Sequence, residues 1–356
     1  MTENPLRVLT LPAFRNRPGN PYNALLYAAI EEFENVEVTE YNKHAALKQR
    51  FDILHIHWPE RMYSSPGYLL AMIYSIYWIL LITILKLRGT RLVWTAHNLR
   101  EHDIRRPVLR RFMWFWFTRQ VDGVLVLSES SKSSLLAEYP PLSKVPVFVT
   151  PHGHYRDSYP NEISKAEARI RLGYTGEDTV ISFVGTVKPY KNALSLIRAF
   201  MEIHEPEFRL VVAGQVSEPA LEKEIREVAQ SDIRIMLNLE FIPDEDLQIF
   251  FRACDLIVFP YLSILNSGSA YMALSFDSPL LVPNMGSMQE IQTEFGAEWV
   301  LTYDGDLDAD TLYRATVAVT NRDETKLTRP EFMSWQEIAT ATNQAYQAIL
   351  SQEKNT

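Results

Sequence analysis

The chain has 356 residues, of which 47% are hydrophobic and 22% are charged, and its formal net charge is -9. This length exceeds the usual size of a single hydrophobic core, so we expect two globular domains. A net negative charge argues against a protein that coats nucleic acid, because neutralising phosphates requires a basic face. The single Cys254 excludes an intramolecular disulfide and a multi-cysteine metal site. With no export signal visible at the N-terminus, we expect a cytoplasmic protein without a nucleic-acid partner.

Short apolar runs alternate with segments of helical periodicity, which is the pattern of βα units in parallel sheets. The strand series restarts after a Pro-rich and His-rich connection near residue 151. The predicted fold class is therefore α/β, with two Rossmann-like domains and a cleft between them. We expect domains over residues 1–150 and 151–330, and a C-terminal helix over 331–356 that crosses back to the first domain. The predicted strands are 7–11, 36–41, 53–57, 92–95, 123–127, 145–150, 180–184, 209–213, 233–237, 256–259 and 280–283.

In the first half, polar side chains follow the predicted strands, where open α/β sheets bind their ligands. His57 and Glu60 follow the third strand, and His97 and Asp103 follow the fourth. Histidines and carboxylates in such loops can supply the general base that a hydroxyl nucleophile needs. We expect His55, which lies within a strand, to be a packed core residue. For His57 and His97, packing and a role at a site are equally consistent with the sequence.

In the second half, two loops carry residue types that suit a diphosphate group. The loop at 185–191 combines Gly185 with Lys188 and Lys191, and the loop at 261–269 places small hydroxyl residues before a helix. Cationic side chains and the N–H groups of a helix start both stabilise phosphate charge. The spacing matches neither a Walker A motif nor G-x-G-x-x-G, which disfavours a P-loop NTPase or a dinucleotide enzyme. A solvated lysine pair and an ordinary N-cap remain as alternatives.

An acidic cluster at 304–310 contains four aspartates and could be taken for a metal site. Acidic residues are favoured in the first turn of a helix, so we expect this cluster to cap a helix that begins near Ala309. The lysines and helix termini can neutralise a diphosphate by themselves. We therefore expect no metal and no other cofactor.

An uncharged run at 69–85 is slightly short for a membrane span and lies between two predicted strands. An interfacial helix and a core helix are equally consistent with it. The following stretch interleaves arginines with aromatic residues, which favours contact with an anionic membrane surface. We therefore expect peripheral association with the inner (plasma) membrane. The residues predicted to contact the membrane are Arg105, Arg106, Arg110, Arg111, Trp114 and Trp116.

Several unusual strings occur along the chain: Asn-Pro-Tyr at 20–22, His-Ile-His-Trp-Pro-Glu at 55–60, His-Asn at 97–98, His-Gly-His-Tyr-Arg-Asp at 152–157, Pro-Tyr-Lys at 189–191 and Asn-Ser-Gly at 266–268. With these strings the chain resembles the xanthan-type β-1,4-mannosyltransferases of glycosyltransferase family 94 over nearly its full length. More broadly, it resembles the two-domain GT-B glycosyltransferases related to family 4. The paired glutamates of the retaining members would fall at Ile264 and Met272, so that pair is missing here.

The resemblance implies an inverting, metal-independent enzyme that transfers mannose from GDP-mannose, in β linkage, to a polyprenyl-diphosphate-linked oligosaccharide in exopolysaccharide synthesis. Its partners would be a nucleotide sugar, a lipid-linked acceptor and an anionic membrane surface. Three alternatives stay open: a GT-B enzyme that uses a UDP-sugar, a nucleotide-sugar 2-epimerase of the same fold, and a non-catalytic membrane scaffold that binds a nucleotide sugar.

The expected catalytic residues are Glu60, Asp103 and His97, with either carboxylate as the general base. The residues expected to bind the acceptor sugar are Asn20, Tyr22, His57, Trp58, Asn98 and His102. The residues expected to bind the donor are His152, His154, Tyr155, Arg156, Gly185, Lys188, Tyr190, Lys191, Tyr261, Asn266, Ser267, Gly268, Ser269 and Glu290.

Overall fold

The computed structural model describes residues 5–99, 106–323 and 328–352. The chain divides into two compact units, the first running to Gly153 and resuming at Met333, the second covering His154–Phe332. The C-terminal segment therefore belongs to the same unit as the N-terminus. Three predicted site residues, His102, Asp103 and Arg105, lie outside the described residues.

Each unit is built on a six-stranded parallel sheet, in the order β2-β1-β3-β4-β5-β6 in the first and β12-β11-β10-β7-β8-β9 in the second. Central strands are buried along their whole length because helices cover both faces of each sheet. The strands are β1 (Leu6–Leu11), β2 (Val36–Glu40), β3 (Ile53–Ile56), β4 (Arg91–Ala96), β5 (Gly123–Val126), β6 (Val147–Val149), β7 (Thr179–Val184), β8 (Phe208–Ala213), β9 (Ile235–Asn238), β10 (Leu256–Val258), β11 (Leu280–Pro283) and β12 (Val300–Tyr303).

The helices follow the strands in alternation, apart from the last, which closes the chain. Short 3-10 helices cover Pro59–Met62, Pro140–Lys144 and Pro189–Lys191. The α-helices are α1 (Tyr22–Glu31), α2 (Lys43–Lys48), α3 (Tyr68–Leu87), α4 (Pro107–Phe117), α5 (Glu129–Glu138), α6 (Lys165–Leu172), α7 (Ala193–Met201), α8 (Pro219–Ala229), α9 (Leu247–Ala253), α10 (Gly268–Ser275), α11 (Met288–Phe295), α12 (Ala309–Thr320) and α13 (Trp335–Leu350).

Helix α13 completes the core on one face of the first sheet, where it packs beside α1. It begins with a capping box, in which Ser334 and Glu337 satisfy each other's backbone N–H groups. Two of its side chains pack directly against glycines of the first unit. A Cβ built on Gly123 would lie only 2.3 Å from Ile349 Cδ1. A Cβ on Gly153 would likewise lie 2.6 Å from the Trp335 ring. The segment after Met333 is thus an integral part of the first unit.

Helix α3 covers the opposite face of the first sheet and has two apolar sides. Its inner side packs into the core through residues spaced three or four apart, among them Trp78, Leu81 and Leu85. The outer side exposes Leu69 by 70% and Leu80 by 57%. By length and composition α3 is long and apolar enough to cross a membrane, although a third of its most apolar window is buried within the unit. The inner side of α3 agrees with the core-helix alternative for the 69–85 segment, and its outer side forms an apolar surface.

Helix α4 carries the arginine-flanked aromatic stretch and divides its aromatic side chains between core and surface. Trp114 is buried, its Nε1 donates to Tyr63 Oη at 3.0 Å, and its ring stacks on Tyr139. The prediction that Trp114 contacts a membrane is therefore wrong, because the helical repeat turns this side chain toward the sheet. Phe112 and Phe115 are the exposed aromatic residues of α4 instead.

The remaining predicted membrane residues differ in how they are held. Trp116 is partly buried and packs against the same core as α3. The Arg106 guanidinium donates to the backbone carbonyl of Ser65 at 2.6 Å, so its position is fixed by the loop before α3. Arg110 is partly buried, and Arg111 is exposed. Among the predicted arginines that the structure describes, Arg111 is thus the exposed one.

Two features of the second unit test the predicted elements there. The Asp308 side chain accepts a hydrogen bond from the Thr311 backbone N–H at 2.8 Å, and α12 begins at Ala309 as expected. The acidic cluster is therefore confirmed as a helix start. Strand β12, a four-residue strand at the edge of the second sheet, was not predicted.

Candidate active site

Four histidines of the first unit lie around the carboxyl ends of β3 and β4. His55 is within β3, His57 directly follows it, and His97 directly follows β4. His152 reaches the same region from the segment after β6, where its ring lies 4.9 Å from Tyr22. Because β3 and β4 are adjacent and parallel, residues that leave their ends are held side by side. His152 was expected among the donor-binding residues, but the structure places it in the first unit.

Three of these histidines, His55, His57 and His97, form a continuous hydrogen-bonded network with buried hydroxyl groups. Tyr27 Oη lies 2.8 Å from His55 Nδ1 and 2.6 Å from His57 Nε2. His57 Nδ1 lies 3.0 Å from His97 Nε2. At the other end, His55 Nδ1 is 2.6 Å from Tyr346 Oη, and His55 Nε2 is 2.7 Å from Thr95 Oγ1. His55 is therefore more than a packing residue, since both of its ring nitrogens are hydrogen-bonded.

Burial keeps this network uncharged near neutral pH. Desolvation lowers the pKa of His55 and that of His97 to about 3, with a smaller contribution from neighbouring histidine charge in each case. Desolvation also lowers the pKa of His152 to about 4 and holds the pKa of His57 well below its usual range. A neutral imidazole has one donor nitrogen and one acceptor nitrogen. The direction of one hydrogen bond in the network therefore determines the direction of the next, and no ring carries a charge.

Aromatic rings surround the partly exposed end of this network. The Trp58 ring stacks on His97 at 4.9 Å with an interplanar angle of 16°. The Tyr22 ring meets His97 edge-on at 5.0 Å and also contacts Trp335. Three residues predicted to bind the acceptor, Tyr22, His57 and Trp58, are thus brought together. Flat, rigid apolar surfaces of this kind beside polar groups suit a sugar ring.

The other predicted residues of this group have defined local positions. Asn20 Oδ1 accepts from the Tyr22 backbone N–H at 3.0 Å, so it stabilises the turn that opens α1. Asn98 is partly exposed directly after His97. Glu60 is partly exposed in the first turn of the 3-10 helix after β3. Of the two candidate bases, Glu60 is the one within the described residues.

In the second unit, two glycines bring the loops after β7 and β8 into direct contact. Gly185 has φ of 125° and Gly214 has φ of 137°, values that residues with a side chain rarely adopt. A Cβ on Gly214 would lie 2.3 Å from the Gly185 carbonyl oxygen. Backbone thus lies against backbone at the carboxyl ends of these strands, where a ligand can approach the main chain closely.

Lys191 is the most unusual side chain of this loop. It is 8% exposed, and Nζ lies 3.2 Å from Ser269 Oγ. Within the described part of the chain, no carboxylate forms an ion pair with it. Desolvation, followed by the nearby Lys188, lowers the pKa of Lys191 to about 8. A buried ammonium beside a hydroxyl and a second, partly exposed lysine is an arrangement completed by an anionic ligand.

The start of α10 supplies the hydroxyl groups next to Lys191. Ser267 is a conventional N-cap, since its Oγ accepts from the Ala270 backbone N–H and lies 2.7 Å from Tyr261 Oη. Ser269 instead faces Lys191. The rings of Tyr190 and Tyr261 are parallel within 17° at 6.3 Å. The N-cap alternative for the 261–269 loop is confirmed for Ser267, and anion binding by this loop stays a prediction.

The predicted donor residues after the domain boundary have structural partners. The Tyr155 backbone N–H donates to Ser275 Oγ at 2.9 Å. Arg156 forms an ion pair with Asp277 at 2.7 Å and also donates to the Pro330 carbonyl. These contacts tie the first residues of the unit to the end of α10. The other residues of this prediction, His154, Asn266, Gly268 and Glu290, are all partly exposed.

Sequence reasoning missed Tyr27, Thr95 and Tyr346, which hold the histidines. Tyr346 is 291 positions from His55 and lies on a helix whose periodicity indicates only a buried face. Tyr27 and Thr95 likewise lie on the buried face of regular elements. No spacing signal distinguishes such residues from ordinary core positions.

A family model of known proteins matches most of the second unit. Residues 164–303 match the family model described as "Glycosyl transferases group 1". This part of the second unit is therefore similar to the group 1 glycosyltransferases. This stretch includes the Gly185 to Lys191 loop and the start of α10, so the cationic site lies within the matched region.

Relatives and solved structures extend the similarity over the chain. The chain is 29% identical over 298 residues to a GDP-mannose:glycolipid 4-beta-D-mannosyltransferase of Xanthomonas campestris pv. campestris. The match covers 83% of this chain and 78% of that protein. The structure of this chain is similar to Anabaena HepE in complex with UDP-glucose, with TM-score 0.68, 14% identity, and 97% and 100% of the two chains covered. Sucrose-phosphate synthase from Thermosynechococcus elongatus gives TM-score 0.66, 16% identity, and 98% and 95% coverage. The predicted α/β fold with two Rossmann-like domains of the GT-B kind is confirmed.

Proposed function

We propose that the protein is an inverting glycosyltransferase that transfers mannose from GDP-mannose, in β linkage, to a polyprenyl-diphosphate-linked oligosaccharide in exopolysaccharide synthesis. The observation that carries the proposal is the buried Lys191 beside Ser269, inside the stretch that is similar to the group 1 glycosyltransferases. The choice of GDP-mannose and of a glycolipid acceptor is supported by the activity named for the Xanthomonas relative.

On the donor side, the chemistry required is stabilisation of a leaving diphosphate. When the glycosidic C–O bond of the donor breaks, negative charge develops on the diphosphate oxygens. The ammonium groups of Lys191 and Lys188 and the N–H groups at the start of α10 supply positive charge for them. This set of groups acts without a divalent ion. Among the described residues, no three His, Cys, Asp or Glu side chains are grouped so as to hold a metal ion.

On the acceptor side, a hydroxyl oxygen attacks the anomeric carbon as the bond to the diphosphate breaks, which inverts that centre. The hydroxyl proton passes to a carboxylate, for which Glu60 and Asp103 are the candidates. The stacked Trp58 and His97 rings and the edge of Tyr22 offer a surface for the acceptor sugar. An inverting course is supported by Ile264 and Met272, which occupy the places of the paired glutamates of retaining enzymes.

A lipid-linked acceptor requires the protein to work at a membrane surface. The outer side of α3 and the exposed Phe112 and Phe115 of α4 cover the same face of the first sheet. Arg111 and Arg119 are exposed on α4 and just beyond it, where cations favour anionic headgroups. We propose that this face, hereafter the α3–α4 face, attaches the protein to the cytoplasmic side of the inner (plasma) membrane.

The proposal is tested by incubating the full-length protein with GDP-mannose or UDP-glucose, in the presence and absence of a polyprenyl-diphosphate oligosaccharide. We expect acceptor-dependent mannosyl transfer from GDP-mannose only, undiminished by EDTA, with a β linkage in the product by NMR. Preference for UDP-glucose contradicts the donor assignment. Conversion of the nucleotide sugar without acceptor indicates an epimerase, and binding without turnover indicates a scaffold.

The general base is tested by Glu60→Gln, which keeps the shape of the side chain and removes its basicity. If Glu60 accepts the proton, we expect kcat to fall roughly 10² to 10⁴-fold with donor affinity unchanged. A near-normal kcat excludes Glu60, and a loss of rate in Asp103→Asn then assigns the role to Asp103. Normal rates for both variants exclude a carboxylate base at either position.

A further inference from the structure

The buried network of the first unit constrains where its protons lie. A neutral imidazole has one N–H and one lone pair, and a hydrogen bond under 3 Å needs one hydrogen between the two heavy atoms. His55 Nδ1 faces two hydroxyl groups at once, Tyr346 Oη at 2.6 Å and Tyr27 Oη at 2.8 Å. Only one of these contacts can use the single lone pair of Nδ1.

We propose that Tyr346 is a positioning residue that fixes which ring nitrogen of His97 carries the proton. Its hydroxyl makes the shorter contact with His55 Nδ1 and takes the lone pair of that nitrogen. His55 then carries its proton on Nε2, which donates to Thr95 Oγ1 at 2.7 Å. Both nitrogens of His55 are thereby used, and the proton of Tyr27 is directed away from it.

The proton of Tyr27 next determines the state of His57. Tyr27 Oη is 2.6 Å from His57 Nε2. A phenol is a better donor than a neutral imidazole N–H, and an imidazole lone pair is a better acceptor than the hydroxyls of Thr10 and Tyr346, which also hydrogen-bond with Tyr27. The Tyr27 hydroxyl therefore donates to His57 Nε2. His57 consequently carries its own proton on Nδ1.

The hydrogen bond between His57 and His97 determines where the proton of His97 lies. His57 Nδ1–H donates to His97 Nε2 at 3.0 Å, which occupies the one lone pair of the His97 ring. The proton of His97 therefore lies on Nδ1, and His97 acts as a hydrogen-bond donor. Resting on the proposed function, this excludes His97 as the general base and leaves proton transfer to a carboxylate. The low pKa values of these buried rings support the neutral states that the argument requires.

The test is to label histidine with ¹⁵N in the full-length protein and to identify the protonated nitrogen of each ring by two-bond ¹H–¹⁵N correlation. In the unaltered protein we expect His97 and His57 to carry the proton on Nδ1. In Tyr346→Phe, His55 Nδ1 becomes available to Tyr27, so we expect loss of the single His97 tautomer and appearance of the Nε2–H form. Tyr63→Phe removes another buried tyrosine hydroxyl, from the opposite face of the sheet, and should leave both tautomers unchanged.

An unaltered protein with the His97 proton on Nε2 overturns the proposal, as does a Tyr346→Phe protein that keeps His97 wholly in the Nδ1–H form. Both NMR measurements are made without turnover. Failure of the tautomer proposal is therefore distinct from failure of the proposed transfer reaction. Activity adds a second measurement. An asparagine amide can replace an Nδ1–H donor but cannot replace a base, so His97→Asn should retain more activity than His97→Ala. Equal loss in these two variants contradicts a donor role.

Discussion

The α3–α4 face makes a prediction whose size follows from the exposure of its side chains. Leu69, Ile73, Ile76 and Leu80 lie on the outer side of α3 and are exposed by 70%, 53%, 54% and 57%. Full burial of such a side chain contributes about 1.5 to 3 kcal/mol. Burying the exposed half of each in lipid therefore contributes about 1 kcal/mol, or about 4 kcal/mol for the set. Replacing all four with serine should lower the membrane partition coefficient about a thousandfold.

The measurement is co-sedimentation of the full-length protein with vesicles that contain phosphatidylglycerol, at low salt. Because part of each side chain is also buried against the protein, the variant should unfold at a lower temperature, so binding is measured well below its melting temperature. A matched control replaces exposed apolar residues of the second unit, Ile170 and Ile233, with serine, and should leave vesicle binding unchanged. Equal binding by the α3 variant and the unaltered protein, or equal losses in the variant and the control, would refute attachment through this face.

Three further tests concern the pH dependence of GDP affinity, the free energy of unfolding and the pH dependence of the melting temperature. Because Lys191 has a pKa of about 8, its charge is lost as pH rises through that value, so GDP affinity measured by titration calorimetry should fall by up to about tenfold per pH unit above it. A pH-independent affinity, or the same dependence in Lys191→Gln, contradicts this role. Gly214→Ala should lower the free energy of unfolding in urea by about 1 to 3 kcal/mol, since its Cβ meets the Gly185 carbonyl, whereas Gly176→Ala has open space and should not. The histidines are neutral when folded but protonate when unfolded, so the melting temperature should decrease as pH falls below about 6.5, and a constant value down to about pH 5 argues against their burial.

The regular parts of the fold are predictable because burial imposes a simple pattern on the sequence. Parallel strands covered on both faces appear as short apolar runs, and eleven of the strands follow from that pattern alone. Strand β12, at the edge of the second sheet, was missed, and burial does not explain why, since the edge strands β6 and β9 have no buried residue and were predicted. The start of α12 is predictable for a different reason, since an aspartate cap is a local interaction between neighbouring residues.

The candidate sites are only partly predictable, because their key contacts join distant positions. Loops at strand ends identify His57, His97 and Lys191, since topology fixes where such loops lie. The sequence contains no sign that Tyr346 would meet His55, or that Lys191 would be buried against Ser269. Similarly, an interleaved basic and aromatic stretch does not reveal which ring faces inward. That is decided by the phase of α4 relative to its sheet, and it places Trp114 in the core.

The placement of α13 has a consequence for how the protein is made. The ribosome completes the second unit before it reaches Trp335 and Tyr346, so the second unit can fold while the first still lacks one helix of its core. Until α13 emerges, the apolar face of α1 and the hydrogen-bonding groups of His55 have no partner from that helix. The segment after Met333 is therefore needed to finish the domain that was started first, and the histidine network is assembled only after the second unit has been synthesised.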